Sequence, residues 1–248
     1  MELKQETVLY DVNNQIATIT LNRPNVKNAL NDEMHHELFE SFKEAERDSD
    51  VSVIVLQGAG DAFCSGADLK SASLNDRTAF DYGDSLRDTY NRLILTITQI
   101  QKPIVAHING IAVGAGLSIA LACDFRVAAY DAKMALSFLN IGLVPDAGAS
   151  YFLPRIVGYA KAELGMGQMI SAEEAYRINL INQIGTPEEL AKQLTETPLE
   201  AFGMKATMRE SYEHSLSEIL EKEVQAQRLA GQTEDHAKAV QKFLTKRS

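Results

Sequence analysis

The feature that most constrains this chain is an order of elements that recurs along its N-terminal part: two strand-like apolar runs, then a helix. Val8, Tyr10 and Val12 alternate with polar residues, Asn13 and Asn14 supply a turn, and Ile16 to Leu21 continues the alternation, which predicts a hairpin. Asn31 then precedes Asp32 and Glu33, with Met34, Leu38, Phe42 and Ala45 at helical spacing, so a capped amphipathic helix follows. Val53 to Leu56 reads as a buried strand ending in Gly58, Ala59 and Gly60. Tyr82, Leu86, Tyr90, Leu93, Ile97 and Ile100 share one face of a second helix; Pro103 ends it, and Ile104 to Ile108 is the next strand. A short helix from about Ala115 and strands at Phe125 to Ala129 and Met134 to Ser137 complete the pattern. From about Ala147 the signals become wholly helical, with starts at Ser171 to Glu174 and Pro187 to Glu189. The expected organisation is an α/β core over residues 1–190 and a helical region over 191–248. The last helices are thinly apolar and need a surface to cover them.

Composition narrows the function classes. With 45% hydrophobic and 23% charged residues the 248-residue chain can build a substantial core. Twenty-four basic against 34 acidic side chains leave a net charge of −10 and no basic stripe, which argues against nucleic acid as a partner. Cys64 and Cys123 lie far apart in apolar or small-residue runs and read as buried thiols in a reducing compartment. The five histidines have no metal-ligand spacing, and His35 and His36 point to different faces of a helix. The opening MELKQETVLY lacks the apolar core of a signal peptide. The run from Ile111 to Cys123 is well short of the about 20 residues a membrane helix needs, so a cytoplasmic protein with no membrane partner is expected.

Three loops carry the candidate chemistry. Each follows a buried strand and is rich in residues that let a ligand approach the backbone: Leu21 to Leu30, Ala62 to Lys70, and Asn109 to Gly116. The third opens a helix, so its free N–H groups favour negative charge, yet it matches neither GxxxxGK[ST] nor GxGxxG.

Together the segments LNRPNVKNAL (21–30), FCSGADLK (63–70), INGIAVGAGLSIALACDFRVAA (108–129) and IGLVPDAGASYFLPRIVG (141–158) resemble the crotonase, or enoyl-CoA hydratase/isomerase, family. The similarity continues through MISAEEAYRINLINQIG (169–185) into FLTKR (243–247). It implies a crotonase-like α/β spiral of strand-strand-helix turns, a C-terminal helical region that forms trimers or hexamers, and an acyl-CoA thioester substrate whose coenzyme A is the only cofactor-like group. By position, the resemblance makes Ala67 and Ala115 the backbone donors of an oxyanion hole. It places Arg23 and Lys27 near the CoA phosphates, Ala29, Asp68, Leu69 and Lys70 along the pantetheine approach, and Phe243 and Lys246 against the CoA of a neighbouring subunit.

Where hydratases of this family carry two catalytic carboxylates, this chain has Ser118 and Phe138, which leaves them as lining residues and makes water addition by that route doubtful. Asp146 instead matches the single proton shuttle of the family's double-bond isomerases. The expected reaction is therefore conversion of a 3-enoyl-CoA to a 2-enoyl-CoA. Hydration, other lyase chemistry on an acyl-CoA, or acyl-CoA binding without turnover are the alternatives. For Asp146 the alternative is a helix cap, since Pro-Asp-Ala-Gly also suits a helix start near Ala147.

Overall fold

The computed structural model describes residues 6–69, 81–164, 167–198 and 202–245. The hairpin forms as the alternation requires, from β1 (Val8–Asn13) and β2 (Ile16–Leu21), and is followed by α1 (Asp32–Arg47), whose cap Asn31 accepts a hydrogen bond from the Met34 N–H. Then come β3 (Val53–Gly58), β4 (Ala62–Cys64), α2 (Tyr82–Leu86), a π-helical turn at Arg87–Asn91 and α3 (Arg92–Gln99). The series continues with β5 (Ile104–Ile108), β6 (Ile111–Val113), α4 (Ala115–Ala122), β7 (Phe125–Ala128) and β8 (Lys133–Ala135). The remaining elements are α5 (Ala149–Val157), α6 (Tyr159–Leu164), β9 (Ile170–Ser171), α7 (Ala172–Arg177), β10 (Gln183–Ile184), α8 (Glu188–Thr195), α9 (Met204–Glu210), α10 (Leu216–Ala230) and α11 (Glu234–Thr245).

The recurring order becomes a spiral because consecutive strands go to different sheets. One six-stranded sheet runs β1-β2-β3-β5-β7-β10 and one four-stranded sheet runs β4-β6-β8-β9. Thus β3 and β4, β5 and β6, and β7 and β8 each give their first member to the large sheet and their second to the small one. The pairs β2–β3, β3–β5, β5–β7 and β4–β6 are parallel, so the chain must cross over between them, and α1 and α3 serve two of those returns. Strand periodicity divides the core. Ile54 and Leu56 of β3 face the main cluster with Leu38, Phe42, Leu93 and Ile97, while Val53 and Val55 face the opposite side with Val105 and Val127.

One expectation is corrected. The region after Ala147 is not wholly helical, because β9 extends the small sheet beside β8 and β10 extends the large one beside β7. The division at residue 190 falls inside α8, whose Ala191 and Leu194 pack with Phe202 on Val53 and Val55; burial on the outer face of the sheet carries the core past that point. Helix α9 is tied to the core by charge. Asp124 accepts from the Ile104 N–H at 2.9 Å, from Lys205 at 3.0 Å and from Arg209 at 3.1 Å, closing the turn from α4 into β7 and fastening α9 across it. By contrast α11 buries no residue.

Candidate active site

The first two loops are sewn together by Asn28, which is fully buried with a left-handed backbone (φ 55°) of the kind asparagine tolerates. Its side chain accepts from the Arg23 N–H at 2.9 Å and donates to the carbonyls of Ala62 at 2.7 Å and Ala59 at 3.0 Å. Leu30 then bridges the second loop in parallel register: its N–H donates to Gly66 O at 2.8 Å, and its carbonyl accepts from Asp68 N–H at 2.9 Å. In such a bridge the intervening residue, Ala67, directs its own N–H to the opposite side. That N–H has no acceptor among the described residues.

The third loop docks on the second through missing side chains. A Cβ on Gly116 would lie 2.6 Å from Cys64 O and 2.7 Å from Cys64 Sγ, so only glycine lets α4 approach β4 this closely. The Cβ position of Gly66 is 3.0 Å from Val113 O and 3.6 Å from Ala115 N. Gly66 (φ 94°) and Gly114 (φ 55°) both occupy the left-handed region that these turns demand. Ala115 opens α4, and its N–H, like that of Ala67, has no acceptor among the described residues. Two unpaired main-chain donors therefore stand on adjoining loops. Phe138 lies beside the third loop: the residue is buried, and its Cζ is 3.9 Å from the Cβ position of Gly114.

Asp146 lies in the turn before α5. It does not cap that helix, which starts at Ala149 behind Gly148 (φ 80°) with no side-chain cap, while the Asp146 main-chain carbonyl accepts from Ala149 N–H at 3.0 Å. The cap alternative is thus corrected. Ala147 is left-handed as well (φ 49°), a costly conformation for a residue with a Cβ. Asp146 Oδ1 is buried with no hydrogen-bond partner. Burial alone raises its pKa from 3.8 to about 6, with no cation or donor to hold the ionised form. The turn packs on α3 and on α5 itself, since the Cβ position of Gly148 is 2.7 Å from Phe152 Cε2 and 3.4 Å from Ile94 Cγ2.

Arg23 does not present a free cation: its Nη1 pairs with Asp68 Oδ2 at 2.9 Å and donates to the carbonyl of buried Ala29. Both Arg23 and Asp68 hold the loops together. Lys27 is left-handed (φ 52°) and exposed, and its carbonyl accepts from Ser65 N–H at 2.9 Å. Leu69 is exposed. Ser118 is fully buried within α4 and its hydroxyl donates to Gly114 O at 3.2 Å, so it lines the helix interior. Phe243 is exposed on α11, and Lys70 and Lys246 lie outside the described residues. Cys64 and Cys123 are unpaired thiols whose pKa burial pushes up to about 12, so neither is a thiolate nucleophile near neutral pH. His107, in β5, is half satisfied, with Nδ1 3.4 Å from Gln57 Oε1 and Nε2 unpartnered. Among the described residues no group of three His, Cys, Asp or Glu is placed to hold a metal ion, and no helix is long and apolar enough to cross a membrane. Sequence reasoning gave Asn28 no role, although an asparagine in the loop between a strand and a helix is a signal for a left-handed turn residue.

A family model described as enoyl-CoA hydratase/isomerase matches residues 11–248. The chain belongs to that family. It is 37% identical to the 1,2-epoxyphenylacetyl-CoA isomerase of Escherichia coli K12, over 98% of this chain and 97% of the relative. It is 41% identical to the (E)-benzylidenesuccinyl-CoA hydratase of Thauera aromatica, over 74% of this chain and 72% of that protein. The crystal structure of an enoyl-CoA hydratase from Bacillus anthracis superposes with a TM-score of 0.88 at 29% identity, covering 97% of this chain and 96% of that one. The family's enzymes act on acyl-CoA thioesters through either hydration or isomerisation, and this chain shares that acyl-CoA hydratase/isomerase class.

Proposed function

We propose that this enzyme shifts the double bond of a 3-enoyl-CoA to the 2-position, with Asp146 as its single proton carrier. The observation that carries this reading is the buried, unpartnered Asp146 Oδ1 in a chain that has Ser118 and Phe138 at the positions where family hydratases carry carboxylates. The Asp146 carboxylate removes a proton from C2; the C2–H electron pair becomes a dienolate whose negative charge rests on the thioester oxygen. The N–H groups of Ala67 and Ala115 form the oxyanion hole for that oxygen, and fixed donors of this type each contribute about 3 kcal/mol to the transition state. The Asp146 carboxyl then returns the same proton at C4, which restores the thioester carbonyl and leaves the double bond between C2 and C3. One group suffices for both transfers, and a pKa of about 6 suits it to be base and then acid near neutral pH.

The substrate brings its own coenzyme A, and the reaction needs no other cofactor. Exposed Lys27 is the cation of the first loop free to meet the CoA phosphates, with Lys70, Phe243 and Lys246 as further contacts. Trimers, or trimers paired as hexamers, would cover the stripe of Leu216, Leu220 and Val224 along α10, and the two unpaired buried thiols suit the cytoplasm. Hydration is the second reading, favoured by the hydratase among the relatives. Incubation with 2-enoyl- and 3-enoyl-CoAs in D2O separates the two. Isomerisation that falls about 10²- to 10⁴-fold in Asp146→Asn supports the proposal. Hydration that dominates and survives that substitution overturns it.

A further inference from the structure

The π-helical turn Arg87–Asn91 places Tyr90 where the mechanism above leaves it without a task. Tyr90 is 7% exposed, yet its hydroxyl makes no hydrogen bond among the described residues. Its ring is held from behind by His35 of α1, edge-on at 4.1 Å between centroids, and His35 is itself buried with Nδ1 unpartnered. Ile94, one turn further along the same face, reaches the Asp146 turn at 3.4 Å from the Cβ position of Gly148. Tyr90 shares a core cluster with Cys64, Ala115, Phe138 and Ala147. Burial raises the pKa of its phenol, with charge at Cys64 and Asp146 adding to the effect.

The ring is buried while the hydroxyl, unlike that of Tyr10, is open and bonded to no described residue, so it is available to bond an oxygen that enters the site. The neighbour Asp146 selects the chemistry of that partner. A second carboxylate would be repelled when Asp146 is ionised, whereas a neutral oxygen accepts the phenol's hydrogen without that penalty. Resting on the acyl-CoA reading of the site, we propose that Tyr90 is a specificity-determining residue whose hydroxyl hydrogen-bonds a neutral oxygen substituent, a hydroxyl or a ketone, on the acyl chain. The bond forms equally to substrate and product, since the substituent takes no part in the proton shift. It therefore governs which acyl group binds more than how fast the bound one reacts.

Binding of unreactive, saturated thioesters tests this without recourse to turnover. Hexanoyl-CoA and its 4-, 5- and 6-hydroxy derivatives are titrated calorimetrically into the full-length wild type and Tyr90→Phe, which keeps the ring against His35, with melting curves confirming that both are folded. The expected result is that at least one hydroxylated ester loses about tenfold in affinity in Tyr90→Phe while hexanoyl-CoA changes by less than about twofold. If all four esters weaken together, Tyr90 only packs the wall; if none weakens, its hydroxyl meets no ligand oxygen. Either result overturns the proposal. A wild type that binds none of the four instead removes the acyl-CoA reading on which the proposal stands.

Discussion

Replacing Asp146 with asparagine should make the protein more stable at alkaline pH, and the size of the gain follows from its surroundings. The carboxyl titrates near pH 6 in the fold against 3.8 for the free group, a difference caused by burial. At about 1.4 kcal/mol per pH unit the ionised form would cost about 3 kcal/mol, and partial access of water to the side chain reduces this to roughly 1–2 kcal/mol. Because the folded-state pKa is raised, the native protein binds the extra proton. The contribution of the neutral carboxyl is intact below pH 3.8 and is lost as pH rises through about 6. Asparagine has no such loss. Asp146→Asn should therefore exceed the wild type by roughly 1–2 kcal/mol at pH 8, about 2–8 °C in Tm, and by almost nothing near pH 4. His35 works in the opposite sense, since burial lowers its pKa from 6.5 to about 4 and the fold loses stability as pH falls through that window; it does so in both proteins and cancels in the difference. Melting curves at matched protein concentration from pH 4 to pH 8 measure the effect. An asparagine variant no more stable than the wild type at pH 8 would refute the reasoning, because asparagine caps a helix about as well as aspartate and only a carboxylate penalised by burial gains from the exchange. The same ionisation should appear as an acid limb near pH 6 in kcat/KM.

Two further predictions concern the loops and the assembly. Gly116→Ala places a Cβ 2.6 Å from Cys64 O, so α4 must move off the second loop; we expect about 1–3 kcal/mol of destabilisation and a fall in kcat of about 10²-fold or more, with Gly203→Ala, whose added Cβ meets nothing within 4 Å, as the unaffected control in melting and rate assays. Leu220→Glu together with Val224→Glu, on the exposed stripe of α10, should give monomers in sedimentation at micromolar concentration, and an unchanged oligomer would show that another surface carries the assembly.

The elements most legible in the sequence were those whose register is set by burial of one or both faces. The hairpin around Asn13 and Asn14, the strand Ile104–Ile108 and the cap at Asn31 all stand where alternation, an apolar run and a capping residue put them. What escaped reading depends on contacts distant in the chain. Arg23 looks like a free cation beside a phosphate site, and only the approach of Asp68, 45 residues on, converts it into a strap. Strands β9 and β10 are two residues long, too short for any period, and exist because β8 and β7 offer unpaired edges. Ser118, an uncharged side chain, donates to Gly114 O and is buried within the helix, a contact that needs the folded turn of α4 to exist.

Asp146 is the instructive case, because Pro-Asp-Ala-Gly has the composition of a helix start and the chain declines to use it as one. Holding Ala147 at φ 49° costs about 1–3 kcal/mol, and burying the carboxyl costs roughly as much again. Rotating the turn so that Asp146 accepted hydrogen bonds from α5 would remove both penalties at once. The turn removes neither: it keeps the Asp146 carboxyl uncapped, with Oδ1 buried and unpartnered, beside Phe152 and Ile94. Local stability gives no reason for such an arrangement, whereas proton transfer at a carbon acid requires a base whose pKa lies close to the working pH. The two costs fall on neighbouring residues of one turn, Ala147 and Asp146, the second of which is the residue to which the proposed chemistry is assigned, and that coincidence is the strongest physical link between this fold and the proposed reaction.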